Sequence, residues 1–147
     1  MSNPDFNLED FLPYRLSIAA NRVSKQIAKT YAPYKLSRTQ WRVMAVLAGA
    51  QTMTAQMVSD KTGMDKTTVS RAVKKLLDRE LISRCANTED ARATSLSLCQ
   101  KGGAMFDKII PDARRQEQSV KDVFSTKELQ MLTSLLDKIA PPTIDEA

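Results

Sequence analysis

The sequence contains no histidine among its 147 residues. This absence removes histidine general bases, Ser-His-Asp triads and histidine metal ligands, which serve much of hydrolytic and metal chemistry. The sequence also lacks the Gly-x-Ser-x-Gly pattern of a nucleophile elbow and the Gly-Lys pair of a phosphate loop. We therefore predict that the protein is not an enzyme and has no catalytic residues, no metal site and no cofactor.

Cysteines, glycines and long apolar runs are also scarce. The two cysteines, Cys85 and Cys99, are too few for a disulfide framework, and we interpret them as small apolar or capping residues. Having only four glycines favours helices over an all-β fold. No apolar stretch approaches the roughly 20 residues of a membrane span, and the polar, acidic N-terminus does not resemble a signal peptide. We expect a cytoplasmic protein that does not insert into a membrane.

Apolar residues at helical spacing and several capping residues predict six helices. The helices are expected at residues 12–31, from a capping box at 37–40 to Gly49, and at 55–62, 66–80, 101–124 and 129–139. Pro33 ends the first helix, and Pro111 is expected to kink the fifth because its ring removes one amide donor. The third and fourth helices are joined by a short turn containing Gly63, which is the helix-turn-helix pattern.

Two short strands are predicted directly after the helix-turn-helix. Residues 81–85 and 94–98 alternate in polarity, and the polar stretch 87–92 between them is typical of a hairpin tip. A helix-turn-helix followed by a charged hairpin is a winged helix. The second helix of the motif can then enter the major groove of DNA while the hairpin reaches the minor groove. The predicted fold class is mainly α with a small β-hairpin wing.

Four segments resemble the multiple-antibiotic-resistance regulator (MarR) family of bacterial transcription factors. They are Leu36-Ser-x-x-Gln-Trp, Gly63 to Arg71, Leu76 to Ile82, and Asp90-x-Arg followed by Leu98 and Gly102, with Cys99 where the family usually has threonine. The resemblance covers residues 10–140. It implies one domain over 1–147, with a DNA-binding lobe at 36–100 and dimerisation helices at 8–32 and 101–140. It also implies a regulator, expected to be a repressor, that binds a palindromic operator as a homodimer and is released by an effector.

Positive charge is concentrated in and just after the predicted recognition helix. Residues 66–84 contain six basic and two acidic side chains, a net charge of +4, which suits neutralisation of DNA phosphates. The predicted DNA contacts in this helix are Lys66, Thr67, Thr68, Arg71, Lys74 and Lys75. Arg71 is expected to bind guanine, the two threonines to touch bases, and the lysines to contact phosphate. The alternatives are a solvated charged face and backbone capping by the threonines.

The tip of the hairpin carries Asp90 and Arg92. The resemblance implies that Arg92 enters the minor groove and that Asp90 holds the wing or the arginine in place. A narrow, A·T-rich groove would attract such an arginine electrostatically. The alternative is an exposed ion pair of almost no energetic value.

Apolar residues near both ends of the chain have no obvious partner in a lone winged helix. They are Leu8, Phe11 and Leu12 at one end and Val120, Phe124, Leu129, Leu132, Leu135, Leu136 and Ile139 at the other. We expect these stripes to pair across a two-fold axis, which would present two recognition helices about one DNA turn apart. The alternative is an intramolecular core that absorbs part of them.

A ligand site is the feature least visible in the sequence. The resemblance implies a pocket between the dimerisation helices and the DNA-binding lobe, and we name Tyr14, Arg15, Trp41 and Met44 as its lining. Aromatic walls with one cation suit a small aromatic or phenolic effector. The alternatives are core packing for Trp41 and Met44 and a surface role for Arg15. For the whole protein, the alternative is a constitutive DNA-binding protein with no effector.

Overall fold

The computed structural model of the protein describes residues 2–86 and 94–142. The helices are α1 (Leu12–Tyr31), α2 (Arg38–Ala48), α3 (Ala55–Thr62), α4 (Lys66–Asp78), α5 (Gln100–Lys121) and α6 (Thr126–Ile139). The strands are β1 (Met53–Thr54), β2 (Ile82–Ala86) and β3 (Thr94–Leu98), and short 3₁₀-helices lie at Leu8–Asp10 and Ala32–Tyr34. This order confirms the mainly α fold class with a winged helix-turn-helix. Within the described ranges, no helix is both long and apolar enough to cross a membrane.

Two capping boxes begin helices where the sequence predicts them. The hydroxyl of Ser37 accepts from the Gln40 amide at 3.2 Å while the Ser37 amide donates to the Gln40 side chain at 3.4 Å. Ser125 and Glu128 repeat this exchange at 3.1 and 2.9 Å at the start of α6. Each box satisfies amides that would otherwise lack partners in the first helical turn. The Glu128 pKa is lowered because its carboxylate accepts hydrogen bonds from Ser125.

The sheet has one strand more than the sequence predicts. Its order is β1-β3-β2 with antiparallel pairing, in which Met53 lies opposite Leu96 and Ile82 lies opposite Leu98. The prediction of two strands is therefore incomplete, because β1 has only two residues and too little pattern to be recognised. The predicted strand at 81–85 lies one residue later in the structure.

Helix α4 ends two residues earlier than predicted, at Asp78. The Leu81 amide donates back to the Leu76 carbonyl at 3.0 Å, and Glu80 has a left-handed φ of 57°. This is the Schellman arrangement that ends a helix, here with glutamate in the position usually held by glycine. Helix α5 runs without interruption through Pro111 to Lys121.

The core belongs to the winged-helix lobe. Its fully buried side chains come from α2, α3, α4, the turn after α4, β3 and α5, and they are Val43, Met44, Leu47, Val58, Val69, Leu76, Leu81, Leu96 and Ile109. By contrast, α1 buries only Thr30 and Tyr31, and α6 buries no residue. Most of α1 and the whole of α6 therefore keep apolar surface exposed, and only the C-terminal end of α1 joins the core, through Tyr31.

Candidate nucleic-acid interface

The turn between α3 and α4 is built from local hydrogen bonds. Thr54 caps α3 by accepting from the Met57 amide at 3.1 Å, and Gly63 ends that helix with a φ of 70°. The hydroxyl of Ser59 donates to the Met64 carbonyl at 2.6 Å, which ties α3 to the turn. These contacts confirm the predicted cap and turn and hold α4 as the second helix of a helix-turn-helix.

Asp65 caps the recognition helix α4. One oxygen of its carboxylate accepts from the Thr68 amide at 2.8 Å, and the other accepts from the Thr68 hydroxyl at 3.0 Å. These hydrogen bonds lower the Asp65 pKa because they favour the ionised form. Thr68 is half-buried and its hydroxyl donates to Asp65, so Thr68 takes part in the helix cap before any DNA is bound.

The remaining predicted contacts of α4 share its exposed side. The exposed residues of α4 are Lys66, Thr67, Ser70, Arg71, Lys74 and Lys75, together with the acidic Asp78 at its C-terminal end. The opposite side buries Val69, Ala72, Val73 and Leu76 in the core. Because the buried stripe fixes the rotation of the helix, the basic side chains extend into solvent from one surface.

Two arginines of the basic segment lie in different surroundings. Arg84 is exposed on β2, whereas the Arg79 guanidinium donates to the carbonyls of Lys35 and Tyr34 at 2.9 and 2.8 Å. Arg79 therefore holds the backbone between α1 and α2 and is not free to meet phosphate. Hydrogen bonds to neutral carbonyls do not cancel the charge of Arg79, so the segment keeps the net charge of +4 counted from the sequence.

The wing is described only at its base. Strands β2 and β3 pair from Ile82 opposite Leu98 to Ala86 opposite Thr94. Asp90 and Arg92, the predicted contacts of the hairpin tip, lie outside the described residues.

Within one protomer, the four residues named for an effector do not come together. Met44 is fully buried in the core, and Trp41 is stacked between Tyr31 and Phe106 with ring centroids 5.2 Å apart in both pairs. Tyr14 and Arg15 instead line a groove of about 270 Å³ near the start of α1. Tyr14 precedes Tyr31 by 17 helical residues, so about 25 Å of helix separates Tyr14 from the tyrosine that stacks on Trp41.

A different cleft, which the sequence pattern does not predict, lies beside Trp41. It has a volume of about 120 Å³ and is lined by Val23, Ser24, Ile27, Tyr31, Arg38, Trp41 and Arg42. Among the described residues, neither the Arg38 nor the Arg42 side chain has a hydrogen bond or ion pair. The spacing of Arg38, Trp41 and Arg42 along α2 could have revealed the site, because residues three and four apart share one helix face.

The fold and the exposed basic helix define a winged helix-turn-helix protein, and comparisons with known proteins agree. Residues 34–93 match the model of the MarR family. The HTH-type transcriptional regulator MhqR of Bacillus subtilis is 26% identical over 124 residues, covering 84% of this chain and 86% of that protein. The DNA-binding lobe of the chain is thus similar to that of MarR-family proteins, and the relatives that it matches are transcriptional regulators.

Two solved structures show the same fold. A cysteine-to-serine mutant of MarR from E. coli, complexed with operator DNA, superimposes with a TM-score of 0.84 at 18% identity, over 95% of this chain and 100% of that one. BpsR of Bordetella bronchiseptica, whose DNA binding is regulated by 6-hydroxynicotinic acid, superimposes with a TM-score of 0.83 at 22% identity, over 94% and 99% of the two chains.

Proposed function

We propose that the protein is a cytoplasmic transcriptional repressor that binds an inverted-repeat operator as a homodimer and leaves it when a small aromatic acid binds. The observation that carries the DNA-binding part is the exposed basic face of α4, held in place by its buried opposite face. Such a helix fits the major groove, where side chains near its N-terminus reach base edges.

The side chains of α4 divide into two groups by position. Arg71 and Thr67 lie in the first half of the helix and are the proposed base readers, and Arg71 can donate two hydrogen bonds to guanine. The lysines Lys66, Lys74 and Lys75 are the proposed phosphate contacts. Thr68 contributes to the cap of the helix and keeps only a secondary role at the base edges.

The wing completes the proposed contact. The resemblance to the family supports Arg92 in the minor groove with Asp90 holding the wing or the arginine in position. Strands β2 and β3 support this role because their antiparallel pairing, up to Ala86 opposite Thr94, forms the base that such a hairpin needs.

The homodimer is supported by apolar surface at the two ends of the chain. On α6, Met131, Leu135, Leu136 and Ile139 are between 46% and 60% exposed, and Leu8, Phe11 and Leu12 near α1 are 47–61% exposed. Part of α6 lines a groove of about 470 Å³. Exposed apolar area of this extent marks an interface, and a two-fold axis through it would present two copies of α4 to successive turns of DNA.

The division into base and phosphate readers is tested by measuring affinity on DNA. An operator is first selected from a random duplex library, and Arg71→Ala and Lys74→Ala are compared on that duplex and on a scrambled one. Arg71→Ala should cost about 1–3 kcal/mol on the selected duplex and relax discrimination. Lys74→Ala should weaken both duplexes alike and reduce the salt slope by about 1. The assignment fails if the two variants behave identically on the two duplexes.

The cleft beside Trp41 is the proposed effector site. Arg38 and Arg42 can form charge-assisted hydrogen bonds with a carboxylate, and the rings of Tyr31 and Trp41 form an aromatic wall. The cleft is smaller than the roughly 300–1,000 Å³ of pockets for drug-sized ligands, so it suits a single ring. The structurally similar BpsR supports this class, since it is regulated by 6-hydroxynicotinic acid. The groove at Tyr14 and Arg15 is the second candidate site.

The effector proposal is tested by titrating 6-hydroxynicotinic acid and related aromatic acids while following the fluorescence of Trp41, the single tryptophan. A hundredfold loss of DNA affinity corresponds to about 2.7 kcal/mol of coupling, and bound operator must weaken the ligand by the same factor. Arg42→Ala should abolish release, whereas the matched change Arg15→Ala should leave release intact. If Arg15→Ala alone abolishes release, the effector site is the other groove.

Equal ligand affinity for the free and the operator-bound dimer, or no binding of any acid tested, would refute effector release. That result would favour the alternative of a constitutive DNA-binding protein.

A further inference from the structure

Arg79 forms a bridge between segments that are far apart in the sequence. It is the C-cap residue of α4, and its two terminal nitrogens donate to the carbonyls of Lys35 and Tyr34 at 2.9 and 2.8 Å. Hydrogen bonds from a charged guanidinium are roughly twice as strong as neutral ones, and its planar fork fixes the direction of both. The end of the recognition helix is thereby attached to the backbone that follows α1.

The two acceptor carbonyls belong to a strained corner. Tyr34 is the last residue of the 3₁₀-helix that follows α1, and Lys35 has a left-handed φ of 58°. The carbonyls at the end of a helix lack intrahelical partners and carry partial negative charge, so a cation satisfies them well. Glu80, next to Arg79, has a similar φ of 57°. The backbone at or next to each end of the bridge, at Lys35 and Glu80, therefore has a left-handed conformation that the surrounding contacts must stabilise.

Helix α5 is attached to the same point. The ammonium group of Lys101 donates to the Arg79 carbonyl at 3.0 Å, and the Cys99 amide donates to the Leu81 carbonyl at 3.0 Å. The end of α1 and the start of α5 thus meet the C-terminal end of α4. Its N-terminal half, with Thr67 and Arg71, is the exposed end proposed to read DNA.

The geometry of a helix makes this junction sensitive. Helix α4 has 13 residues and is about 20 Å long. A tilt of about 10° at the Arg79 end would move the far end by about 3.4 Å, which is about the rise of one base step. A tilt of that size directed along the DNA would therefore move the N-terminal end of each recognition helix by about one base step.

We propose that Arg79 is a positioning residue which, by anchoring α4 to the end of α1, sets the spacing between the two recognition helices of the dimer. This inference rests on the proposed function, because spacing has meaning only for a dimer on an inverted repeat. It assigns Arg79 a role in choosing the spacing of the operator's half-sites and no role in contacting DNA.

The test measures affinity against half-site spacing. Wild-type protein, Arg79→Ala and Arg79→Lys are titrated with a set of duplexes that carry the selected inverted repeat with base pairs added to or removed from its centre. The wild type should show one preferred spacing. Arg79→Ala should lose about tenfold at that spacing, within the usual range of coupling between sites, and less than about twofold at spacings one base pair longer or shorter. Arg79→Lys, which keeps the charge but not the fork, should show the same flattened profile.

Lys74→Ala is the control, since loss of a phosphate contact should lower affinity by one factor at every spacing. Simple destabilisation by an Arg79 variant would also lower affinity uniformly, so the shape of the profile separates positioning from folding. Arg79→Lys carries the test if Arg79→Ala does not fold. An unchanged or uniformly lowered profile for Arg79→Lys would overturn this inference alone. A wild-type protein with no preferred spacing would instead refute the proposed function.

Discussion

Replacing Gly102 by alanine should severely weaken the contact between α5 and the end of the recognition helix. A Cβ atom at this position would lie 2.0 Å from the Leu81 carbonyl oxygen and 2.9 Å from its carbonyl carbon. That carbonyl accepts the Cys99 amide at 3.0 Å and follows directly on the turn that ends α4, so the backbone has little freedom to withdraw. Overpacking costs about 1–3 kcal/mol, and the lost hydrogen bond adds about 0.5–1.5 kcal/mol. We expect the variant to lose about 3 kcal/mol of stability.

The adjacent glycine supplies a matched control. A Cβ atom on Gly103 would meet nothing within 4 Å, and alanine is favoured over glycine inside a helix by about 1 kcal/mol. Thermal unfolding is followed by circular dichroism at one protein concentration, because the Tm of a dimer depends on its concentration. The two variants should shift Tm in opposite directions. At about 2–4 °C per kcal/mol, Gly102→Ala should lower Tm by roughly 6–12 °C while Gly103→Ala raises it. A Tm for Gly102→Ala equal to that of the wild type would refute the packing described for this junction.

Three further changes test other parts of the structure. Glu80→Gly should stabilise the protein to urea by about 1 kcal/mol, because it removes the cost of a left-handed non-glycine residue; an unchanged or lower midpoint would contradict the assigned turn. Hydrogen bonds from Thr68 lower the Asp65 pKa, so the free energy of unfolding of the wild type should fall as pH drops below the ordinary aspartate range. Asp65→Asn should lose less stability over the same pH interval. Parallel pH profiles for the two proteins would count against the cap. Leu135→Asp should give monomers in sedimentation equilibrium, and an intact dimer would argue against α6 as the interface.

The features that the sequence predicts well are local ones. The capping boxes at Ser37 and Ser125 join residues three positions apart, so a short stretch of sequence is enough to predict both. The exposed basic face of α4 follows in the same way from helical periodicity. Strand β1 was missed because it exists only through pairing with Leu96, far along the chain.

The parts of the site that the sequence does not reveal depend on tertiary contacts. Arg79 belongs to the basic segment by position, and only the fold brings it to the carbonyl of Tyr34, 45 residues away. Trp41 and Met44 are three positions apart on α2, yet the packing of the fold leaves one beside a cleft and buries the other fully in the core. Tyr14 lies near the start of α1, far along the helix from Trp41 and Met44. Residue type alone, aromatic or cationic, does not predict this separation.

The stoichiometry of the DNA complex tests the central claim most directly. Sedimentation velocity with a fluorescent duplex carrying the selected inverted repeat would count the protomers bound, and duplexes with one half-site or a scrambled sequence would serve as competitors. The account predicts two protomers on each inverted repeat, and affinity at least a thousandfold above that for scrambled DNA, the lower end of usual specificity ratios. One protomer per duplex, or equal affinity for the scrambled sequence, would contradict it.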